Sequence, residues 1–557
     1  MTPYCLRNRL MSSLSNDDDL PDTIPALARL IRARKLSPVT LAEHVLRRIE
    51  RIDPVIHAYI TVCGEHALAQ AHRAEREISN GDYRGPLHGI PYGLKDIYET
   101  AGIRTTGHSK VYEDHVPQTD AHVVEELHRA GAVLVGKHAL HELAHGVPSF
   151  DLPWPPARNP WNAEHYTGGS SSGSAAAVAA GLGLFALGTD TASSVRAPAS
   201  LCGLVGLKPT FGLVSRHGVM PDAYSLDHCG PITRTVEDCA IVLQAIASHD
   251  PRDGASWPGA RPDFAAEART DLEGVSIGVV RHFWEEDIPT PAELTAATEE
   301  ALNVLRELGA RLDEVRLRPA RIYADVWTLI EAPETFSIRR DALTARAGDF
   351  GRVFLERTLF ACLIDAADYL DAQRARARLA NEMAAAFTPY DVLVTAGAGP
   401  APRLSPALAA WPSFSRFHAA AVTGNPAIVL PCGFSRTGLP MSIQMIGKPF
   451  EDAKLLAIAR AYERATGWCE RRPTIATVEP TMPTIGEPRA PSAPAPDREL
   501  RNACLHAAGQ AGLRLSESQL ALLVEADSHV REMIERVRQL AHDSPEPASV
   551  FPLWRRV

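Results

Sequence analysis

The sequence has no uninterrupted apolar run near the ~20 residues that a bilayer-spanning helix needs. Its opening stretch, MTPYCLRNRLMSSLSNDDDL, turns acidic without a signal-type apolar segment. No Cys-x-x-Cys pair occurs among nine cysteines scattered from Cys5 to Cys504, which points to a reduced, cytoplasmic protein. An excess of positive charge is also missing. The 57 Lys+Arg against 67 Asp+Glu leave a net charge of −10, which argues against polyanion binding driven by bulk electrostatics. What is present is an ordinary globular composition, 45% hydrophobic and 22% charged, which excludes wholesale disorder. At 557 residues the chain is too long for one compact core, and a large α/β enzyme domain with appendages fits it.

Near the start, IPALARLIRARKLSPVTLAEHVLRRIERIDP repeats its apolar residues every three or four positions and is split at Ser37-Pro38, which predicts two amphipathic helices. From about Gly85 to Cys469, short runs such as AVLVG, VSIGVV and DVLVT alternate with Ala-rich helical stretches. That alternation predicts a largely parallel sheet covered on both faces. The stretch from Asp271 to Ala380 carries long helical patterns. Six prolines between Pro480 and Pro496 mark a semi-extended linker. Beyond it, Ser516 and Gln519 form a capping-box pair, and Leu523, Ala526, Val530, Met533, Val537 and Leu540 make an apolar stripe. So short a helical unit cannot bury its own stripe, so it must dock on its own enzyme domain or on a partner. The expected division is 1–75 for an N-terminal helical region, 76–475 for the catalytic domain, 476–497 for the linker and 498–557 for a helical tail.

Three constellations could carry chemistry. His141-Glu142-Leu143-Ala144-His145 satisfies the His-Glu-x-x-His string of a zinc helix, but no third ligand on a downstream helix is evident. Gly169-Ser170-Ser171-Ser172-Gly173 satisfies the nucleophile-elbow string, yet the preceding WNAEHYTG is not the buried strand that an elbow requires. The third is the Gly/Ser-rich region HYTGGSSSGSAAAVAAGLGLFALGTDTASSVRAPASLCGLVGLKPTFGLVS. It resembles the signature region of the amidase signature family, in which a GGSS stretch precedes a GTDT-x-x-S-[IV]-R stretch. GPLHGIPYGLKDIYETAGIRTTGHS resembles that family's lysine-bearing loop. AGAVLVGKHALHELAHG, SLDHCGPITRTVEDCA, NPAIVLPCG and GLPMSIQMIGKPFED match in family order across residues 25–470.

The resemblance implies an α/β fold with an α/β/α core, a mixed central sheet, N-terminal helices and a C-terminal helical tail. It assigns Lys95 as general base, Ser170 as the proton-relaying serine held through a cis peptide, and Ser194, 24 residues further on, as nucleophile. Backbone N–H groups of Thr191, Ala192 and Ser193, with Ser194, would form the oxyanion hole. Such chemistry is intelligible. An amide is a poor electrophile, so it demands an activated oxygen and preorganised donors. Lysine can act as a base only if its environment lowers its pKa from about 10.4. Ala192, Ser193 and Ser172 stand where many family members have glycine, and an L residue forced to positive φ costs about 1 kcal/mol. The tail, with PEPASVFP after its helix, resembles the small helical partner that accompanies the amidase component of tRNA-dependent amidotransferases, and the small partner of carboxybiuret hydrolase.

The expectation is therefore an amidohydrolase cleaving a C–N bond of a small amide, ureide or carbamate through an acyl-enzyme on Ser194, without metal or other cofactor. A small-molecule substrate, no nucleic acid, no membrane and a homodimer complete it. The alternative is a glutaminase subunit of a tRNA-dependent amidotransferase.

Overall fold

The computed structural model describes residues 20–265, 269–409, 415–476, 478 and 498–542. Two helices open it, α1 (Ile24–Arg32) and α2 (Pro38–Ile56). They separate where the sequence predicted. Pro38 occupies the first turn of α2, and the Ser37 hydroxyl accepts the N–H groups of Val39 at 3.1 Å and Thr40 at 3.3 Å.

Eleven strands form one sheet in the order β1-β3-β2-β6-β8-β7-β12-β13-β11-β9-β10. Its first half contains β1 (Tyr59–Val62), β2 (Pro91–Lys95), β3 (Val133–His138), β6 (Phe185–Thr189), β7 (Val205–Lys208) and β8 (Cys229–Thr233). Its second half contains β9 (Ser276–Val279), β10 (Arg311–Glu314), β11 (Val392–Ala396), β12 (Ala427–Phe434) and β13 (Pro440–Gly447). A separate pair, β4 (Arg158–Asn159) and β5 (Asn162–Tyr166), lies outside it.

The prediction of a largely parallel sheet needs correcting. Pairs β2/β3, β2/β6, β9/β11 and β9/β10 are parallel, and the remaining pairs are antiparallel. Continuous apolar runs report burial on both faces, not strand direction, and the middle of this sheet is antiparallel yet covered on both sides. Alternate residues of one strand enter different hydrophobic clusters. Phe185 and Leu187 join the largest and Ala186 another, and Ile428 and Leu430 are divided from Val429 in the same way. The result is the mixed α/β/α arrangement that the resemblance implied.

Five more helices matter below, with one short turn of helix beside them. They are α3 (Ser172–Ala179), α4 (Arg196–Leu201), α5 (Ala320–Arg346), α6 (Ala366–Ala386), α7 (Arg498–Gln510) and α8 (Glu517–His542). Every residue of α3 is buried, which its Ser/Gly/Ala composition permits. In the tail, the Ser516 hydroxyl accepts the Gln519 N–H at 3.3 Å, and the Gln519 side chain accepts the Ser516 N–H at 2.9 Å. Leu523, Val530, Met533, Val537 and Leu540 are buried within the same cluster as the sheet, and Ala526 packs against it. Arg536 pairs with Asp325 of α5 at 2.6 Å, and Arg538 with Asp368 of α6 at 2.7 Å. The proline-rich segment and the tail's Phe551 and Trp554 lie outside the described residues. Among the described residues no helix is long and apolar enough to cross a membrane.

Candidate active site

Strands β2 and β6 are parallel neighbours, so their carboxyl ends emerge side by side. Lys95 is the last residue of β2 and Thr189 the last of β6. Lys95 is wholly buried, and its Nζ lies 2.7 Å from Thr189 Oγ1 and 2.7 Å from Ser170 Oγ. The carboxyl ends of strands are where α/β sheets gather their ligands. Burial, the largest influence, pushes the Lys95 amine down to about 7, against the opposing pull of Asp222, Asp227 and Asp190.

Ser170 follows a cis peptide after Gly169 and is 2% exposed. Its carbonyl accepts the His141 N–H at 3.0 Å. Gly169 has room for no side chain, since a Cβ there would run into the buried His141 ring. Ser171, the central serine of the elbow string, is fully buried. Its hydroxyl meets the N–H and carbonyl of Thr189 at 3.3 Å each, so it ties two loops together and presents no nucleophile.

Ser194 is half-buried and reaches the same place through the backbone, its carbonyl accepting the Ser171 N–H at 3.1 Å. The loop that carries it is fixed by a buried ion pair. Asp190 takes Arg196 Nε and Nη2 at 2.9 Å each, and also accepts the N–H groups of Val195 at 3.2 Å and Arg196 at 3.3 Å. Burial raises the Asp190 carboxyl, but Arg196 prevails and holds it below its usual range. Arg196 also donates to the Ala192 carbonyl at 2.6 Å and the Gln444 side chain at 2.6 Å. Val195 and Arg196 thus spend their N–H groups on Asp190. Among the described residues the N–H groups of Thr191, Ala192, Ser193 and Ser194 donate to no protein acceptor, which leaves a row of free donors beside Ser194. Neither Ala192 nor Ser193 nor Ser172 adopts positive φ, so their side chains bring no left-handed strain.

The structure therefore gathers Lys95, Ser170 and the Thr191–Ser194 loop. Sequence reasoning missed Thr189, although the GTDT string contains it. It also missed Asp227, which accepts the Thr191 hydroxyl at 2.7 Å.

The family comparison covers this whole site. The chain matches the Amidase family over residues 40–456. It belongs to the amidase family. The A subunit of glutamyl-tRNA(Gln) amidotransferase from Carboxydothermus hydrogenoformans is 38% identical over 475 residues, 80% of this chain and 97% of that one. Among solved structures, peptide amidase from Stenotrophomonas maltophilia matches with a TM-score of 0.72 and 32% identity, covering 82% of this chain and 99% of the amidase. A protein from a vestigial complex tied to the origins of an s-triazine catabolic enzyme matches with a TM-score of 0.74 and 30% identity, over 80% of this chain and 98% of that one.

These relatives correct the expected partners of this amidase-family chain. A set of partners limited to a small molecule and a second copy, with no nucleic acid, does not fit a chain whose curated relatives are named as one subunit of a glutamyl-tRNA(Gln) amidotransferase. Net charge registers only bulk electrostatics, and one member of an assembly need not carry its polyanion-binding surface.

The His-Glu-x-x-His string forms no zinc helix. Glu142–Ala144 is a single tight turn in which Leu143 (φ 51°) and Ala144 (φ 70°) are left-handed, so the two histidines share no helical face. His141 Nδ1 donates to the Gly146 carbonyl at 2.9 Å and its Nε2 accepts from the Tyr166 hydroxyl at 3.3 Å, whereas His145 faces Asp222 and Glu331.

Proposed function

We propose that this chain hydrolyses the side-chain amide of glutamine through an acyl-enzyme on Ser194, as the glutaminase subunit of a tRNA-dependent amidotransferase. The observation that carries the reading is a buried lysine at about 7, in contact with Ser170, within a chain 38% identical to one component of a glutamyl-tRNA(Gln) amidotransferase over nearly that component's whole length. At neutral pH a substantial fraction of Lys95 is uncharged. Its lone pair then takes the Ser170 proton while Ser170 takes that of Ser194, and the Ser194 oxygen attacks the amide carbon. The carbonyl oxygen gains its negative charge against the free N–H groups of Thr191–Ser194. Returned by the same route, the proton leaves with ammonia, and water releases glutamate from the ester.

Ammonia release from glutamine by the purified chain tests this directly, with hydroxylamine added to trap the acyl-enzyme as a hydroxamate. Release that disappears in Ser194→Ala is expected. Wild-type release by that variant would overturn the catalytic assignment, and absence of glutamine turnover with and without partner subunits would overturn the substrate. The likeness to peptide amidase favours one second reading, a peptide carboxamide in place of glutamine. Peptide amides in the same assay decide between the two.

A further inference from the structure

One acidic loop separates the row of free donors from the long helix α5. Asp227 accepts the Thr191 hydroxyl with one oxygen, and with the other takes the N–H groups of Asp222 at 3.0 Å and Ala223 at 3.1 Å. On the far side, successive turns of α5 grip the same loop. Thr335 donates to the Asp222 carbonyl at 2.9 Å and to its carboxylate at 3.0 Å. Glu334 accepts from the Ser225 hydroxyl at 2.7 Å, and Arg339 donates to the Pro221 carbonyl at 2.9 Å. Between loop and helix sits His145, its Nδ1 2.5 Å from Glu331 Oε1 and 3.3 Å from Asp222 Oδ1. All three side chains are buried, and neither ring nitrogen is aligned for a hydrogen bond.

A histidine with two carboxylates has the composition of a metal site, and their ligand atoms lie within 4.8 Å of one another. The approach of Nδ1 to Oε1 at 2.5 Å is nevertheless closer than the ~3.4 Å that separates two ligand atoms each about 2.1 Å from one tetrahedral ion. Direct ion pairing describes the cluster better. Burial opposes charge on His145, but Glu331 and Asp222 outweigh it and hold the imidazole well above its usual value. Burial, with Asp222 adding to it, pushes Glu331 up to about 7 against the pull of His145 and Arg357. Burial and Asp222 push Asp227 to about 7 as well, opposed by Thr191 and Arg216. Among the carboxyl groups that act on Lys95, Asp222 comes first, ahead of Asp227 and Asp190.

We propose that His145, Asp222 and Glu331 are positioning residues for the acyl transfer. His145 and α5 hold the Asp222 side chain in place behind Asp227, which fixes Thr191 beside the oxyanion donors and lies on the side of the site that faces Lys95. The proposal rests on Lys95 acting as base and Ser194 as nucleophile.

Its test uses the full chain and no amide substrate. The rate at which phenylmethanesulfonyl fluoride modifies Ser194, followed by mass spectrometry across pH, reads the Lys95 limb directly. Asp222→Asn removes a charge that favours the lysine cation, so the limb should move to lower pH by about half a unit or more, roughly threefold in rate on the limb. Thr335→Val alters no charge. It should lower the plateau severalfold and leave the limb where it was. His145→Gln should lower the plateau about tenfold, because the two carboxylates then face each other without a cation. An unmoved limb in folded Asp222→Asn would overturn the proposal. Should that variant fail to fold, a folded His145→Gln at the wild-type plateau would overturn it equally. Absence of modification at Ser194 in the wild type would instead sink the acyl-enzyme reading, and this one with it.

Discussion

Lys95 Nζ and Thr189 Oγ1 stand 2.7 Å apart at the carboxyl ends of two parallel strands, with Ser170 Oγ at the same distance from the amine. The contact exists because β2 and β6 are neighbours in the sheet although 94 residues separate the two side chains. Thr189 gives the buried amine an acceptor that stays in place whatever Ser170 does. Thr189→Val keeps the shape and removes the acceptor, so turnover should fall about tenfold, the ~1–1.5 kcal/mol of one such hydrogen bond. Unchanged kcat in this variant would mean that Ser170 alone places the lysine.

The position of Lys95 near 7 fixes the sign of the pH dependence. A base works uncharged, so activity should rise with pH through about 7 and then level off. Lys95→Met and Ser194→Ala should each remove nearly all turnover, and the double variant should be hardly worse than either, because the groups act as a unit. A pH–rate profile flat across neutrality would rule Lys95 out as the titrating base.

Gly169 offers a steric test that leaves every reactive group intact. A Cβ at this position meets the His141 ring, which is buried and hydrogen-bonded at both nitrogens. Gly169→Ala should therefore displace Ser170 and lower kcat by about a hundredfold, as small misplacements of reacting groups do. Circular dichroism should stay near wild type. Activity within threefold of wild type would show that the loop tolerates movement at Ser170.

The tail should melt with the enzyme, since Leu523, Val530 and Val537 belong to the same hydrophobic cluster as the sheet. Leu523→Ala leaves a buried cavity and should cost about 2–4 kcal/mol, seen calorimetrically as one transition at lower temperature. A separate low-temperature transition for the tail, with the main one unmoved, would show that the tail folds on its own.

Much of the candidate site was legible in the sequence. Lys95, Ser170 and Ser194 sit in ordered strings, and the tail stripe followed from helical periodicity alone, as did the break at Ser37-Pro38. Apolar runs marked the strands but misled on their direction, because burial on both faces looks the same whichever way a neighbour runs. HELAH, set aside in the sequence for want of a third ligand, forms no zinc helix either. Its spacing suits a helix, but Leu143 and Ala144 turn left-handed and send His141 and His145 to different neighbours.

Local sequence determines what depends on the chain's nearest residues: helix caps, apolar stripes, and which side chains have reactive chemistry to offer. The sheet order decided the rest. It set Thr189 against Lys95 and packed α5 across the acidic loop, so that Glu331 met His145 from 186 positions away. A lysine ionises according to the water and charges around it. No window of sequence contains the burial that brings Lys95 to about 7 or the carboxylates that oppose it, because those come from segments that only the folded core brings together.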